Sequence, residues 1–530
     1  MRNQKARLFC SLVVLTFIVG LLTGCKGSTT PTTPVTNPQE TAAVVAPTTA
    51  AETKTPVKDT LVIAMINEPT SLSPYDHNAI YSDYMNQMTY NGLFRLDENA
   101  TPIPDLVQSY KQLSDTEWTF TIFDGVKFHD GTTMTSADVK ASLEYAKTFP
   151  AVKPYTQSYA TVDIVDNLTV KVTTNGPSAT LLYDLANHGN YITPKALIDS
   201  GNNFKENPIG SGPYKFVKWT LGDKIEFTKF ADYFDTTAMP TITDVTWKFI
   251  PEGSSRTIGL QTGEIDLIIE VATNDIATLK ADSSVVVLEH PALQLNWLFI
   301  NNEKAPFDNL LVRKAINAAI DRDSVITVAL NGVGQAAISQ TPFGMLGSTE
   351  VNAEGYDVTK AKQYLTDSGV DPASIKLDMI CSNSTKKSAA EVIQANLAEI
   401  GITNVTVTSM DLATYLSATS TGDFTGAIGG YLSSNMVAYL QGTFISTSIG
   451  GSNRTRFNNS EVDAMIKQAA ATVDPVAREQ ILKNCTELLN TLVPLVPLYQ
   501  DKYVRAYNAD LGGVAINAAG NLRINALFWK

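Results

Sequence analysis

Residues 90–147 read YNGLFRLDENATPIPDLVQSYKQLSDTEWTFTIFDGVKFHDGTTMTSADVKASLEYAK, and the periodicities in this stretch set the organisation of the chain. Trp118-Thr119-Phe120-Thr121-Ile122-Phe123 alternates large apolar with small polar side chains, the period of two that a half-buried strand requires. Asp124-Gly125 supplies a position that tolerates positive φ, as a tight turn needs. Residues 126–129 (VKFH) then predict a returning strand, and Asp130-Gly131 a second turn. Thr135-Ser136-Ala137-Asp138 has the spacing of a capping box. Val139, Leu143 and Ala146 fall on one face of the helix that follows. The expectation is a hairpin that leads into a docked helix.

Outward from this stretch, the totals bound the class. The chain has 530 residues, more than one core holds, and length alone sets a prior of about three domains. Hydrophobic content of 44% and charged content of 18% are those of a soluble globular protein. A net charge of −13 without a dense Lys/Arg run argues against a nucleic-acid partner, which demands a basic stripe. The acid excess keeps a surface soluble and biases mildly towards neutral or cationic ligands. The four cysteines are Cys10, Cys25, Cys381 and Cys485, with no CxxC pair, so zinc and thioredoxin-type chemistry are not expected. Cys381 ends a predicted strand, and Cys485 shares a helical face with Ile481, Leu488 and Leu492. Buried free thiols are the plainer reading of both, and a disulfide between them is the alternative.

Arg2, Lys5 and Arg7 precede an almost wholly apolar run over residues 8–22. That run is shorter than the ~20 residues a membrane span needs and suits a signal peptide over residues 1–24. Leu22-Thr23-Gly24-Cys25 follows at once. Small residues beside the scissile bond and a nucleophilic thiol resemble a bacterial lipobox, with Cys25 as the lipidated residue. Two acyl chains would hold the mature protein on a membrane. Residues 25–58 are rich in Thr, Pro and Ala, cannot bury enough apolar surface to order themselves, and form an extended tether. The expected location is extracytoplasmic, on the outer face of the cell membrane or on the periplasmic side in a two-membrane cell.

Several strings then carry a family resemblance. They include Tyr90-Asn91-Gly92-Leu93, Trp118-Thr119-Phe120, and residues 125–131 followed by Ala137-Asp138-Val139. Leu72-Ser73-Pro74 (Ser73 in place of the usual Asp) and Pro208-Ile209-Gly210-Ser211-Gly212-Pro213-Tyr214 add to them. So do Pro306-Phe307 with Arg313 and Ile320-Asp321-Arg322, and Pro494-Leu495-Val496-Pro497-Leu498-Tyr499. Together they resemble the family 5 extracellular solute-binding proteins, the oligopeptide, dipeptide and nickel receptors of ABC importers, over nearly all of the chain after the tether. Local patterns fit. Two glycines at 210 and 212 permit a sharp turn, and Asp308 can cap a helix over residues 309–320. Residues 375–381 predict a strand, Ser388-Ala389-Ala390-Glu391 a capping box, and residues 405–408 a second strand. This βαβ spacing calls for a parallel sheet. The fold class implied is α/β, periplasmic-binding-protein-like type II, two lobes with mixed sheets joined by a two-segment hinge. Lobe I takes residues 59–292 and 498–530, with an inserted subdomain over roughly 100–205, and lobe II takes residues 293–497.

No G-x-S-x-G, H-E-x-x-H or G-x-x-x-x-G-K-[ST] string occurs, and no catalytic residue, cofactor or metal is expected. Residues 332–337 (GVGQAA) follow a helix rather than a strand, so they make a loop and not a dinucleotide fingerprint. The four histidines, 77, 129, 188 and 290, are scattered. His129 lies inside the framework hairpin. The resemblance implies a site between the lobes, with hinge closure on an extended peptide. Its candidate contacts are Glu68, Tyr155, Tyr159, Asn296, Trp297, Tyr431, Ser434 and Asn453. Asn296 and Trp297 are adjacent on one strand, so one of them faces the core. The family places an acid for the peptide's α-ammonium where this chain has Ser434, in Gly429-Gly430-Tyr431-Leu432-Ser433-Ser434-Asn435. Either another acid supplies that charge, the alignment slips, or the ligand is not an ordinary short peptide. The alternatives are a metal chelate, an opine-like compound or an oligosaccharide in the same receptor fold, or a secreted lipoprotein enzyme, for which no residue constellation exists. The partners expected are the solute, the transmembrane domains of an importer and the membrane, with the receptor a monomer.

Overall fold

The computed structural model describes residues 58–530 apart from Ser434 and Ala518. The expected signal peptide, Cys25 and the expected tether up to Val57 lie outside the described residues. An eleven-stranded mixed sheet dominates. Its strands in chain order are β1 (Thr60–Met65), β2 (Tyr214–Thr220), β3 (Lys224–Lys229), β4 (Asp244–Phe249), β5 (Leu267–Ile268), β6 (Val285–Ile300), β7 (Gln335–Ala336), β8 (Lys376–Cys381), β9 (Asn404–Ser409), β10 (Gly426–Tyr431) and β11 (Leu495–Asn508). Across the sheet the order is β9-β8-β10-β6-β11-β5-β1-β4-β3-β2, with β7 also on β11. Parallel pairs lie towards both ends: β1 with β4 and β5, and β8 with β9 and β10. Between them run β6, of 16 residues, and β11, of 14. These two pair antiparallel along most of their length, with a register break between Pro291 and Leu295.

Apolar cores follow the same division. Leu298, Ile316, Ile393 and Leu397 belong to one cluster and Trp297, Phe299, Tyr439 and Leu489 to another. Leu61, Ile63, Trp247, Leu267 and Trp529 form a third, under the other end of the sheet. A separate four-stranded antiparallel sheet, ordered Val107–Gln112, Glu117–Ile122, Thr169–Thr174, Tyr159–Ile164, holds its own core of Trp118, Phe120, Val139, Leu143 and Val170.

The opening stretch folds partly as its pattern predicts. Glu117–Ile122 is a strand, Gly125 has φ +74°, and the Asp138 carboxylate accepts the Thr135 N–H at 2.8 Å at the start of helix Ser136–Ala146. Residues 126–129, however, form no strand. Glu117–Ile122 is already paired on both edges, so the returning segment has no ladder to join and closes through one bridge, Lys127 to Thr133. His129 instead docks on the glycine loop, its N–H on Gly210 O at 2.8 Å and its Nε2 2.9 Å from Gly212 O. Burial pushes its imidazole down to about 4. A Cβ on Gly210 or Gly212 would lie 2.2 or 2.4 Å from the backbone oxygens of Thr89 and Met88. Close approach, rather than a turn of positive φ, is what these two glycines supply.

The strand–helix–strand unit is present as β8, helix Ser384–Glu399 and parallel β9. Its helix begins upstream of the predicted box, capped by Asn383, whose side chain accepts the Lys386 N–H. No breaker lies between Asn383 and Ser388, so the better-placed Asx residue wins. Likewise Asn309, not Asp308, caps helix Leu310–Ala319. Cys381 and Cys485 are both free and buried, and burial pushes the Cys485 thiol up to about 12.

Two arginines of the resemblance strings act as backbone staples. Arg313 donates to Val493 O, Phe307 O and Leu492 O, each at 2.9 Å. Arg322, 3% exposed, donates to Ala337 O at 2.7 Å, Pro497 O at 2.9 Å and Asn317 Oδ1 at 2.7 Å. Removing such a donor leaves buried acceptors unpaired, at about 1–3 kcal/mol for each orphaned group. Arg322→Met is therefore expected to destabilise the folded state by roughly 3 kcal/mol or more, read as a lower urea midpoint with the far-ultraviolet spectrum of the folded variant unchanged.

Candidate functional site

The strand pairing places the carboxyl ends of the two parallel sets opposite one another. β5 runs antiparallel to β11, with Leu267 opposite Tyr507 and Ile268 opposite Ala506, so its carboxyl end advances along β11 towards Asp501. β10 runs antiparallel to β6, with Gly426 opposite Ile300 and Tyr431 opposite Leu295, so its carboxyl end advances towards the register break at Pro291–Leu295. β1 and β4 end with β5, and β8 ends with β10. Open α/β sheets bind ligands beyond the carboxyl ends of parallel strands. Here two such edges confront each other across the crossing of β6 and β11, and residues 66–69, 250–252, 269–271 and 382–387 leave the sheet between them.

Three ionisable side chains mark this place, none of which the sequence singles out. Asp501 lies on β11, and Asn296 Nδ2 on β6 donates to its Oδ2 at 3.0 Å. Burial raises its carboxyl pKa, opposed by the Asn296 hydrogen bond and the field of Lys386. Lys386, in the first turn of its helix, holds its ammonium 5.7 Å from the Tyr415 ring centre, and burial lowers it. Glu270 follows β5 directly, and the Val271 N–H donates to Val504 O at 3.2 Å, which sets Glu270 beside that part of β11. Burial raises its carboxyl too, against the fields of Arg505 and Arg256. Its Oε2 is buried without a partner among the described residues. Arg505, 2% exposed, lies behind, donating to Tyr84 Oη at 3.0 Å and to Ile269 O. At a strand rise of ~3.3 Å per residue, Val504 and Asp501 are about 10 Å apart.

The residues expected from sequence are distributed unevenly around this place. Asn296 is at its centre. Trp297, the next residue, turns the other way, 1% exposed, and meets Phe299 and Tyr439 edge-on at 5.5 and 6.0 Å. Tyr431 ends β10 opposite Leu295, half-buried, and burial raises its phenol. Glu68 leaves β1 at the same edge, with Oε1 taken by Trp219 Nε1 at 2.6 Å and the Gly222 N–H at 3.0 Å. Tyr155 donates to Asn78 Oδ1 at 3.1 Å beside the His188 ring. His188 in turn stacks on His77 at 4.6 Å, and burial pushes His77 down to about 3. Tyr159 is buried in the core of the four-stranded sheet, its hydroxyl 2.8 Å from Asn190 Oδ1. Asn453 is 0% exposed and donates through Nδ2 to Ile445 O at 3.1 Å and Phe457 O at 2.9 Å, while its Oδ1 accepts from Thr455 at 2.9 Å. Ser434 lies outside the described residues.

A cavity of about 470 Å³ lies elsewhere, lined by Met88, Asn91, Arg95, Asp105, Tyr233 and Arg523 among others. It adjoins the carboxyl end of helix Ile80–Thr89, which is ~15 Å long. Tyr81, at the helix's other end, is the residue whose phenol the field of Glu270 raises, after burial.

Comparisons with known proteins bear on the fold and the family. The profile of the family described as "Bacterial extracellular solute-binding proteins, family 5 Middle" matches residues 101–450. The chain is 30% identical over 480 residues to the glutathione-binding protein GsiB of Escherichia coli O1:K1 / APEC, covering 86% of this chain and 91% of that protein. It superposes with a TM-score of 0.69 and 25% identity on the periplasmic binding protein DppA from Helicobacter pylori in complex with the peptide STSA, covering 89% and 98% of the two chains. It also superposes, at a TM-score of 0.69 and 27% identity, on AgaA from A. tumefacien R10 in complex with agropinic acid, covering 89% and 99%.

The saturated hydrogen bonds of Asn453 assign it to the frame. Asn453→Ala is expected to lower stability by about 2 kcal/mol through orphaned carbonyls, measured as a shift in the urea midpoint against Asn453→Asp as the near-isosteric comparison.

Proposed function

The chain belongs to the family 5 bacterial extracellular solute-binding proteins, binding components of ABC importers rather than enzymes, and we propose that it captures an extended peptide between its facing strand edges and passes it to the transporter. One observation carries this reading. The carboxyl ends of two parallel strand sets confront each other across a crossing of only two strands, and that crossing has a register break. Pro291, at the break, has no N–H to give to the ladder, and a bulge bends and twists the strands that hold it. Rotation there lets residues 59–292 with 498–530 act as one lobe and residues 293–497 as the other. A ligand that touches both edges favours the closed arrangement in proportion to the contacts closure adds. Strand edges offer backbone N–H and C=O groups to an extended main chain. Relatives named for glutathione and crystallised with a peptide support a peptide-like ligand.

A second reading keeps the receptor and changes the guest. Ser434 in place of an acid and a relative holding agropinic acid favour an opine-like compound; a metal chelate or an oligosaccharide belongs to the same alternative. Among the described residues no group of three or more His, Cys, Asp or Glu is placed to hold a metal ion, which leaves a chelate to be recognised through its organic part.

Among the described residues no helix is long and apolar enough to cross a membrane. We assign membrane attachment to diacylglyceryl modification of Cys25 after removal of residues 1–24, with the chain acting as a monomer on the tether.

In a thermal-shift screen, short peptides and glutathione are expected to raise the melting temperature, by the equivalent of ~2.7 kcal/mol at a hundred times Kd. Stabilisation by sugars, chelates or opines with none by peptides would replace the first reading with the second. Cys25→Ser is expected to move the protein from the detergent-extracted membrane fraction to the aqueous one; unchanged membrane association would refute lipidation at this residue.

A further inference from the structure

We propose that Asp501 is the counter-charge for an amino group of the ligand. The inference rests on the binding reading above and adds a residue to it. A carboxylate offers about four lone-pair positions. Asp501 fills one of them, with the neutral amide of Asn296 at 3.0 Å. Its Oδ1 accepts no hydrogen bond from a described residue, and no Lys, Arg or His among them comes within 4.0 Å of it. Buried carboxylates are ordinarily paired or richly hydrogen-bonded, and burial here raises the carboxyl pKa as it does for an acid short of partners.

The surroundings narrow the partner. Lys386 is close enough for its field to be felt, yet its ammonium faces the Tyr415 ring rather than the carboxylate. Glu270, the other acid of the site, is offset by the fields of Arg505 and Arg256. Asp501 has no comparable arginine. The segment GGYLSSN, residues 429–435, carries no acid. Asp501 therefore combines three properties: it stands where the two edges meet, it is partly desolvated, and it lacks a cation. A primary ammonium has three donors and one charge, which suits the open positions around Oδ1. Lys386 nearby would repel a second positive group and attract a carboxylate, so the ligand this corner accepts has one amino group with an anionic or neutral group following it.

The experiment uses the purified folded protein and two probes, a random tetrapeptide pool with free amino termini and the same pool N-acetylated. Retained peptides are quantified by mass spectrometry after rapid desalting. Wild-type protein is expected to retain the free-amine pool over the acetylated one. Asp501→Asn is expected to lose affinity for the best-retained free peptide on the order of a hundredfold, and to have little further effect on any acetylated peptide. Asp501→Glu is expected to recover part of the loss. The melting temperature of the unliganded Asp501→Asn protein is expected to equal or exceed that of wild type, because a partly desolvated charge without a cation has been removed; this separates lost recognition from lost folding. Equal retention of both pools by wild type, or undiminished retention of free peptides by Asp501→Asn, overturns the role of Asp501 and leaves the peptide reading standing. Retention of neither pool overturns the peptide reading itself, and the proposal with it.

Discussion

Among the described residues, the antiparallel ladder between β6 and β11 is the one strand pairing that joins the two ends of the main sheet. Strands β9, β8 and β10 reach β6, and β5, β1, β4, β3 and β2 reach β11. The ladder must stay intact for every other strand to keep its place, yet it must change partners between Pro291 and Leu295. The break costs few hydrogen bonds because proline has no N–H to lose. Side-chain alternation along the same strands then decides what is core and what is site. Trp297 packs against Phe299 and Tyr439, while Asn296 meets Asp501.

The parts of the fold legible in sequence were those set by neighbours in the chain. Trp118 to Ile122 shows its two-residue period, Asp138 reaches back three residues to Thr135, and β8, its helix and β9 repeat a strand–helix–strand rhythm. The misreadings share a cause. Residues 126–129 have the composition of a strand, but whether they pair depends on edges supplied by residues 107–112 and 169–174. Gly210 and Gly212 suggest a turn, whereas the backbone of Met88 and Thr89, more than a hundred residues earlier, dictates them. Asp501 and Glu270 look ordinary in sequence, because nothing local announces that a carboxylate will be partly desolvated. Asn296 was legible through the family resemblance, which places contacts on its strand, though its acidic partner was not.

The strings that carry the family resemblance describe the frame more than the guest. His129 holds the glycine loop, and Arg313 and Arg322 hold carbonyls around the start of β11. Their chemistry concerns backbone groups that would otherwise be buried unpaired. Family membership therefore follows from them, whereas ligand identity does not. Under the proposed binding mode, ligand identity depends instead on a few side chains of the site, and the sequence departs from the family pattern at Ser434.

That separation has a consequence for how such a receptor changes over time. The staples and the ladder hold backbone groups, whereas Asn296 and Asp501, within β6 and β11, and Glu270 and Lys386, beyond the ends of β5 and β8, contribute side chains that the backbone pairing does not use. A substitution among the second group perturbs few of the bonds that hold the first. A lineage can thus drift from one nutrient to another through single replacements at the rim, each tolerated by the architecture beneath, and an acid lost from one segment can be regained from a different one without any intermediate that fails to fold.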